Sequence, residues 1–408
     1  MAEHSEAAPR PAAVHPIARA WVSTGGTGAQ NYDEFADDQE ITEIIRANPR
    51  SALAVEMPHR APESVGSTFT EALPQAVARL RQAKDAGAYR PAAQVVVLYR
   101  ITAPDGAASY GMFAMVDTDQ ISTRADEPGL VIRNEDVFIE KVRERVALAE
   151  TTGHLLSPVL LLQSGRGDEL HQELAAACAA AGAPACQDQD AAGRRHEIWP
   201  VPAGPTTDRL CALASGGELV VADGNHRSLA AQIGGLPRFL AVITTPASVT
   251  IQPYHRLFTE VPLPVPELTD RLVAAGAEVE PVTGTPGEPA PGVVHLYTAD
   301  GFQQVRLPVD PAASRVDALD HARVEQVLIR GICGYDPGDP RIGYVGGDYP
   351  VAWLQEQVDR GRAQLAVLIA PVSVDDFVAV NLARQKMPRK STWFVPKARA
   401  GLVLAELD

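Results

Sequence analysis

The sequence predicts a mixed α/β protein, α+β in character rather than a regular βαβ array, and three observations carry that expectation. Apolar runs of strand length alternate with amphipathic stretches of helix length. The prolines and glycines, 33 and 32 of 408 residues, fall mostly between those stretches, where connections belong. The Asp-Gly of YTADGF, at 297–302, signals a hairpin and therefore antiparallel pairing.

Taken in order, residues 1–16 hold several prolines and no apolar segment, so they read as a flexible arm and not a signal peptide. A helix is expected at 69–86, followed by strands at 94–101 and 110–116. The helix expected at 137–151 places Phe138, Val142, Val146 and Ala149 on one face, with Glu140, Lys141, Arg143 and Glu144 elsewhere. A strand at 156–163 and a helix at 169–181 come next. The apolar run 219–222, the short helix 226–233 and the run 240–244 form a strand, helix and strand. Breaks fall at 61–67, 184–194, 261–266 and 281–291, and the last is too rich in proline and glycine for a helix or a central strand. The remaining expectations are helices at 267–275, 318–330, 350–360 and 374–385, with strands at 293–298, 302–308, 364–370 and 401–407. The chain thus divides into an arm to 16, a body over 17–260 and a further α/β region over 261–408.

Composition narrows the function. Hydrophobic residues at 46% and charged residues at 21% describe an ordinary globular chain. A net charge of −15 repels phosphate backbones at long range, which argues against nucleic acid as a partner but leaves room for a small anion in a locally positive pocket. No run of about twenty apolar residues suits a membrane span. Cys178, Cys186, Cys211 and Cys333 lack metal-type spacing and read as buried small residues, so a cytoplasmic location is expected. Gly25-Gly26-Thr27-Gly28 lacks the strand and spacing of a dinucleotide loop, and no GxxxxGK[ST], HExxH, GxSxG or kinase motif is present. Oligomeric state stays open.

The sharpest local signal is the stretch from Glu218 to Gly235. A strand runs into Asp223-Gly224-Asn225-His226-Arg227 and a short helix follows. Free backbone N–H groups and the positive end of a helix dipole then meet at one turn. Gly224 lets an anion approach, while His226 and Arg227 offer donors, so an anion site is expected. The alternative is a plain corner in which Asp223 caps the helix and Arg227 pairs with a surface acid. Near the C-terminus, Lys390-Ser391-Thr392 and Lys397 surround Trp393 and Phe394 in a proline-stiffened stretch, either an anion-binding loop or solvated lysines over two aromatics. Pro253-Tyr254-His255-Arg256 is a third cluster. The fourth, Arg133-Asn134-Glu135-Asp136, opens a helix; its acids suit the dipole, or else Glu135 serves a substrate hydroxyl as a base.

The DGNHR segment resembles the DGHHR of a poorly characterised family, and further likenesses follow in that family's order. Tyr32-Asp33, Asn48-Pro49, Ser157-Pro158 and Pro253 to Arg256 resemble its YD, NP, SP and PxHR elements. Met387 to Lys397 resembles its MPxKSTxFxPK tail. Asn225 stands where the family has a first histidine, and Asn134 where it often has a histidine before Glu135. The family loop is in turn remotely similar to that of ParB/sulfiredoxin-like proteins, which include free serine kinases. The resemblance implies a ParB/sulfiredoxin-like core with a mixed sheet over 17–260. It also implies that the last loop, 387–402, completes a site on it.

What it implies chemically is a phosphotransferase moving a phosphoryl group from ATP or ADP to a small free amino acid, serine first, with Mg²⁺. Gly224, Asn225, His226, Arg227, Arg256, Lys390, Ser391, Thr392 and Lys397 would hold the donor. Glu135, Asp223 and His226 would be catalytic, Asp223 also carrying the metal, and His255 and Arg133 would face the substrate. Two other readings stand beside it. One is a nucleotide-binding switch of ParB type without catalysis, and the other is a metal-dependent hydrolase built on Asp223, His226 and His255.

Overall fold

The computed structural model describes residues 12–35, 37–124, 126–127, 129–133 and 139–407. The fold is mixed α/β, with a mixed sheet of thirteen strands and an antiparallel sheet of six. Along the spine of the larger sheet lie Leu219–Asp223, Val159–Gln163, Arg238–Thr244, Ala108–Asp117, Tyr89–Thr102, Ile17–Ser23 and Val403–Glu406. Its strands read as unbroken apolar runs because both faces are covered. In Tyr89–Thr102, Val95, Val97, Tyr99 and Ile101 enter one core while Val96 and Leu98 enter the other. Leu219 and Val221 point to one side and Val220 and Ala222 to the other in the same way. At Val95 the long strand changes partner, from Ile17 on one stretch to Pro202 on the next, beside Gln94 with φ 51°.

The smaller sheet runs Glu278–Val282, Gly301–Arg306, Val293–Thr298, Leu365–Ile369, Tyr254–Phe258 and Ile342–Gly346. The expected hairpin is there, closing with Tyr297 opposite Phe302 and Thr298 opposite Gly301, whose φ of 105° suits glycine. Pro281 sits on the edge strand, where a missing N–H costs no ladder bond.

All the strands expected from the sequence recur, that at 293–298 with the same ends and the others with shifted ends. The helix expected at 318–330 is a short α-helix, Asp320–Arg323, continued by a π-helix, Val324–Ile332. Elements the pattern did not announce include Ile17–Ser23, Asp38–Ala47, Pro205–Ala214, Tyr254–Phe258 and Ile342–Gly346. Chain order and sheet membership also part company. Tyr254–Phe258 precedes residue 261 yet lies inside the smaller sheet, and Val403–Glu406 returns to the larger one beside Ile17–Ser23. That return brings the C-terminal stretch back to the N-terminal one, where Ala29 and Ala400 bridge with N···O distances of 2.9 and 3.0 Å. Among the described residues, no helix is long and apolar enough to cross a membrane. All four cysteines are free and buried.

Candidate functional site

The strand Leu219–Asp223 pairs antiparallel with Val159–Gln163, and its register slips between Val221 and Asp223. Val221 faces Leu161 and Asp223 faces Leu160, so Ala222 is an extra residue in the ladder. Such a bulge turns the following side chain out of the sheet, here Asp223. Gly224 then takes φ 94° as the N-cap of the helix Asn225–Ile233. A Cβ there would sit 3.0 Å from Arg227 Nε and 3.2 Å from Val159 Cα, so the turn needs glycine for both angle and space. Asp223 does not cap the helix, contrary to the plain-corner reading.

A cleft opens at this turn. Asp33, Ala222, Asp223, Gly224, Asn225, His226, Tyr254, Lys390, Thr392 and Lys397 line it. The two lysines arrive by sheet pairing: Trp393–Val395 pairs antiparallel with Thr250–Gln252, with Phe394 opposite Ile251. Lys390 has φ 49°, and the backbone on either side of it is held by Arg256, which donates to the Lys390 carbonyl at 2.9 Å and the Arg389 carbonyl at 3.0 Å. Lys397 lies 3.8 Å over the Trp393 ring, 3.6 Å from Asp223 Oδ1 and 3.7 Å from Glu34 Oε1. Lys390 stands 5.7 Å over the Tyr254 ring.

Asn31 and the short 3₁₀ turn Tyr32–Glu34 complete the wall, pinned by the Ala29–Ala400 bridge. The Asn31 amide donates to Glu34 Oε1 at 2.7 Å, to the Ala398 carbonyl at 3.2 Å and to Asp223 Oδ2 at 3.4 Å. Its oxygen accepts from Arg227 at 3.1 Å. Arg227, buried, also donates to Asp223 Oδ2 and to the Pro158 carbonyl.

The electrostatics follow from this packing. Burial opposes the Asp33 charge, but Arg227, Lys390, Lys397 and His226 outweigh it and hold the carboxyl far below its ordinary range. Among the described residues, one buried oxygen of Asp33, Oδ1, has no hydrogen-bond partner. Burial pushes Glu34 up to about 7, with Asp223 and Asp33 adding to the shift and Lys397 opposing it. Burial works against the charge of Lys397, yet Asp223, Glu34 and Asp33 lift its pKa above the ordinary value. His226 is pushed down to about 4 by burial, with Lys390 and Lys141 acting the same way against Asp33, so the imidazole is neutral near pH 7. Helix-start N–H groups, two lysines and a hydroxyl thus face one small space with two carboxylates, a donor set suited to a phosphate that carries its own cation.

The structure assembles Asp223, Gly224, Asn225, His226, Lys390, Thr392 and Lys397 around the cleft. It places others elsewhere. Arg227 is absent from the lining and acts behind it, on Asp223. Arg256 is a buried strut under the Lys390 loop, its guanidinium 4.5 Å over the Tyr344 ring. His255 points the other way, into the smaller sheet, where Nδ1 accepts from the Ile369 N–H at 3.2 Å. Ser391 is buried outside the lining, and Arg133, whose N–H donates to the Ser122 carbonyl at 3.0 Å, is likewise outside it. Asn134, Glu135 and Asp136 lie outside the described residues. Asp33, Glu34 and Tyr254 are the residues to which sequence reasoning gave no role. Tyr32-Asp33 had already been matched to a family element, and that was the available signal.

Among the described residues, no group of three or more His, Cys, Asp or Glu side chains is placed to hold a metal ion. The trio Asp223, His226 and His255 is not assembled, because His255 is turned into the second sheet. Asp223 itself is engaged by Arg227, Asn31 and Lys397, whereas Oδ1 of Asp33 has no hydrogen-bond partner among the described residues.

Residues 27–322 match the DUF1015 family of proteins of unknown function. The chain belongs to that family. The match reaches from the Asn31 wall through the DGNHR corner to the edge of the π-helix. A search of the curated proteins finds no match. Among solved structures, the chain is similar to a free serine kinase in complex with AMP, at 13% identity and a TM-score of 0.38, covering 69% of this chain and 87% of that one. It is also similar to a conserved hypothetical protein from Pyrococcus furiosus, at 14% identity and a TM-score of 0.39, covering 71% and 95%. A third is SbnI with a C-terminal truncation from Staphylococcus aureus, at 13% identity and a TM-score of 0.40, covering 71% and 87%.

Proposed function

We propose that this DUF1015 protein transfers a phosphoryl group from ATP or ADP to the hydroxyl of a small free amino acid, serine first. The observation that carries the reading is the meeting, in one cleft, of Lys390, Lys397 and the start of helix Asn225–Ile233 with the carboxylates of Asp33 and Asp223. Phosphoryl transfer asks for that combination: cations and N–H groups for the transferring oxygens, and acids for a metal and an acceptor.

In this reading the N–H groups after Gly224 and the Lys390, Lys397 and Thr392 side chains hold the donor phosphates. Asp33 would hold Mg²⁺, which would supply charge neutralisation to those phosphates. Asp223, fixed by Arg227 and Asn31, orients the acceptor, and neutral His226 supplies one further hydrogen bond. Glu135 remains the candidate base. Glu34 sits behind Lys397, outside the lining, and sets the field at that ammonium.

The test is phosphorus NMR of the protein with Mg²⁺, ATP or ADP, and serine among pooled amino acids. A new phosphomonoester signal is expected, slowed by roughly 100-fold or more in Lys397→Met. Nucleotide binding with no phosphorylated product would replace this reading with the switch.

A further inference from the structure

A second cavity lies behind the site helix, between it and Ile139–Thr152, with a volume of about 60 Å³. Its two ends differ in chemistry. Val146, Leu148, Ala149, Leu156, Ala231 and Phe239 are among the apolar residues of its wall, Glu56, Arg145 and Arg227 form a polar end, and Glu150 and His154 also line it. Glu56, Arg145 and Arg227 are more than nine-tenths buried, and each keeps a buried atom without a hydrogen-bond partner among the described residues: Glu56 Oε2, Arg145 Nε and Nη1, and Arg227 Nε.

The Arg145 guanidinium is the unusual member. It packs 4.1 Å over the Tyr32 ring and 5.1 Å over the Phe69 ring, and its Nη2 donates to the Glu56 carbonyl at 3.0 Å. Glu56 Oε1 is taken by the Ser157 hydroxyl. Arg227 has Asp223 as its counter-charge, on the side facing the cleft, whereas among the described residues no carboxylate lies within ion-pair distance of Arg145. The Glu56 carboxyl is the acid that feels this charge, but burial pushes its pKa up against Arg145, toward the neutral form. A buried cation with open donors and so weak a counter-charge is costly, and it is relieved by an anion that brings two acceptor oxygens.

From this we propose that the cavity is a binding site for a short-chain aliphatic monocarboxylate, its head on Arg145 beside Arg227 and its tail among the apolar residues. The space is several times the roughly 10–15 Å³ that one water occupies, which limits the guest to about four to six non-hydrogen atoms. Phosphate has no tail for the apolar end, and an alcohol leaves the guanidinium without its charge. The proposal goes beyond the phosphotransfer reading and does not depend on it.

The experiment is ligand-detected NMR and thermal shift on the full chain without nucleotide, titrating butanoate, butan-1-ol and butan-1-amine. Saturable butanoate binding is expected, at least about tenfold tighter than either analogue. It should fall at least about tenfold in Arg145→Met, whose thermal melt, read alongside, shows that the variant is folded. Ala149→Leu, which fills the apolar end, should also abolish it. Absence of saturable binding, equal binding of the alcohol, or butanoate affinity unchanged in either folded variant would overturn the proposal. None of these outcomes bears on phosphate transfer, which the phosphorus spectrum reads separately.

Discussion

Of the three His-Arg pairs in this chain, two stand 29 positions apart, His226-Arg227 at a helix start and His255-Arg256 in a strand, and the fold uses them differently. On the helix, successive side chains diverge by about 100°, so His226 reaches the cleft while Arg227 turns back to the Asp223 wall. In the strand they alternate, so His255 enters the smaller sheet and Arg256 leaves on the opposite face, toward the loop that carries Lys390. Neither arginine lines the cleft. Each poses another group, Arg227 the carboxylate of Asp223 and Arg256 the backbone of Lys390. The lesson is that planar, multiply donating arginines are spent here on buried architecture, and the point charges of lysines face the space a ligand would fill.

The largest effect should come from breaking the first pair. Arg227→Ala leaves the half-buried Asp223 without its closest counter-charge and with only Lys397 beside it, so urea unfolding should show a loss of roughly 1–3 kcal/mol and the proposed turnover should vanish. The next test separates the histidines. His226→Gln should slow the proposed transfer by about tenfold or more, since its side chain faces the cleft, while His255→Gln should stay within about twofold and lose roughly 1 kcal/mol of stability. Equal effects in both would erase the distinction drawn between the pairs. Smaller again is Arg256→Met. With the carbonyls of Arg389 and Lys390 released, KM for the nucleotide should rise by about tenfold with a lesser change in kcat.

The last prediction concerns Glu34 and is read as pH dependence. Its folded pKa, about 7 against an ordinary 4.5, means the native state keeps a proton that the unfolded chain releases. Between those values the native form binds more protons, so this group lowers stability as pH rises. Glu34→Gln should therefore gain on the parent across that window, by on the order of 1–3 kcal/mol at its upper end. Denaturant melts at pH 5 and pH 8 would check it, and a constant difference between parent and variant would count against the assignment.

The apolar run before Asp223, the glycine after it and the helix that follows were legible because each has a local cause: a strand buried on both faces, an angle only glycine takes easily, a period near four. The bulge at Ala222 was not legible, since nothing in LVVAD marks which residue the neighbouring strand will skip. Glu34 and Asp33 were unreadable as site residues for another reason. They lie in a short polar turn whose meaning depends on Lys397, more than 360 positions away, and the pairing of Val403–Glu406 with Ile17–Ser23, with the Ala29–Ala400 bridge, closes that distance.

By itself, then, the chain's order of residues determined where strands and helices would form and which turn would present bare N–H groups. Those depend on periodicity and on backbone angles that neighbours impose. Tertiary structure decided which charges meet: that Arg227 serves Asp223, that Arg256 holds a loop, and that Arg145 is buried with no carboxylate in ion-pair distance among the described residues. Coulomb energies depend on distance through space and on burial, and neither is written in sequence separation.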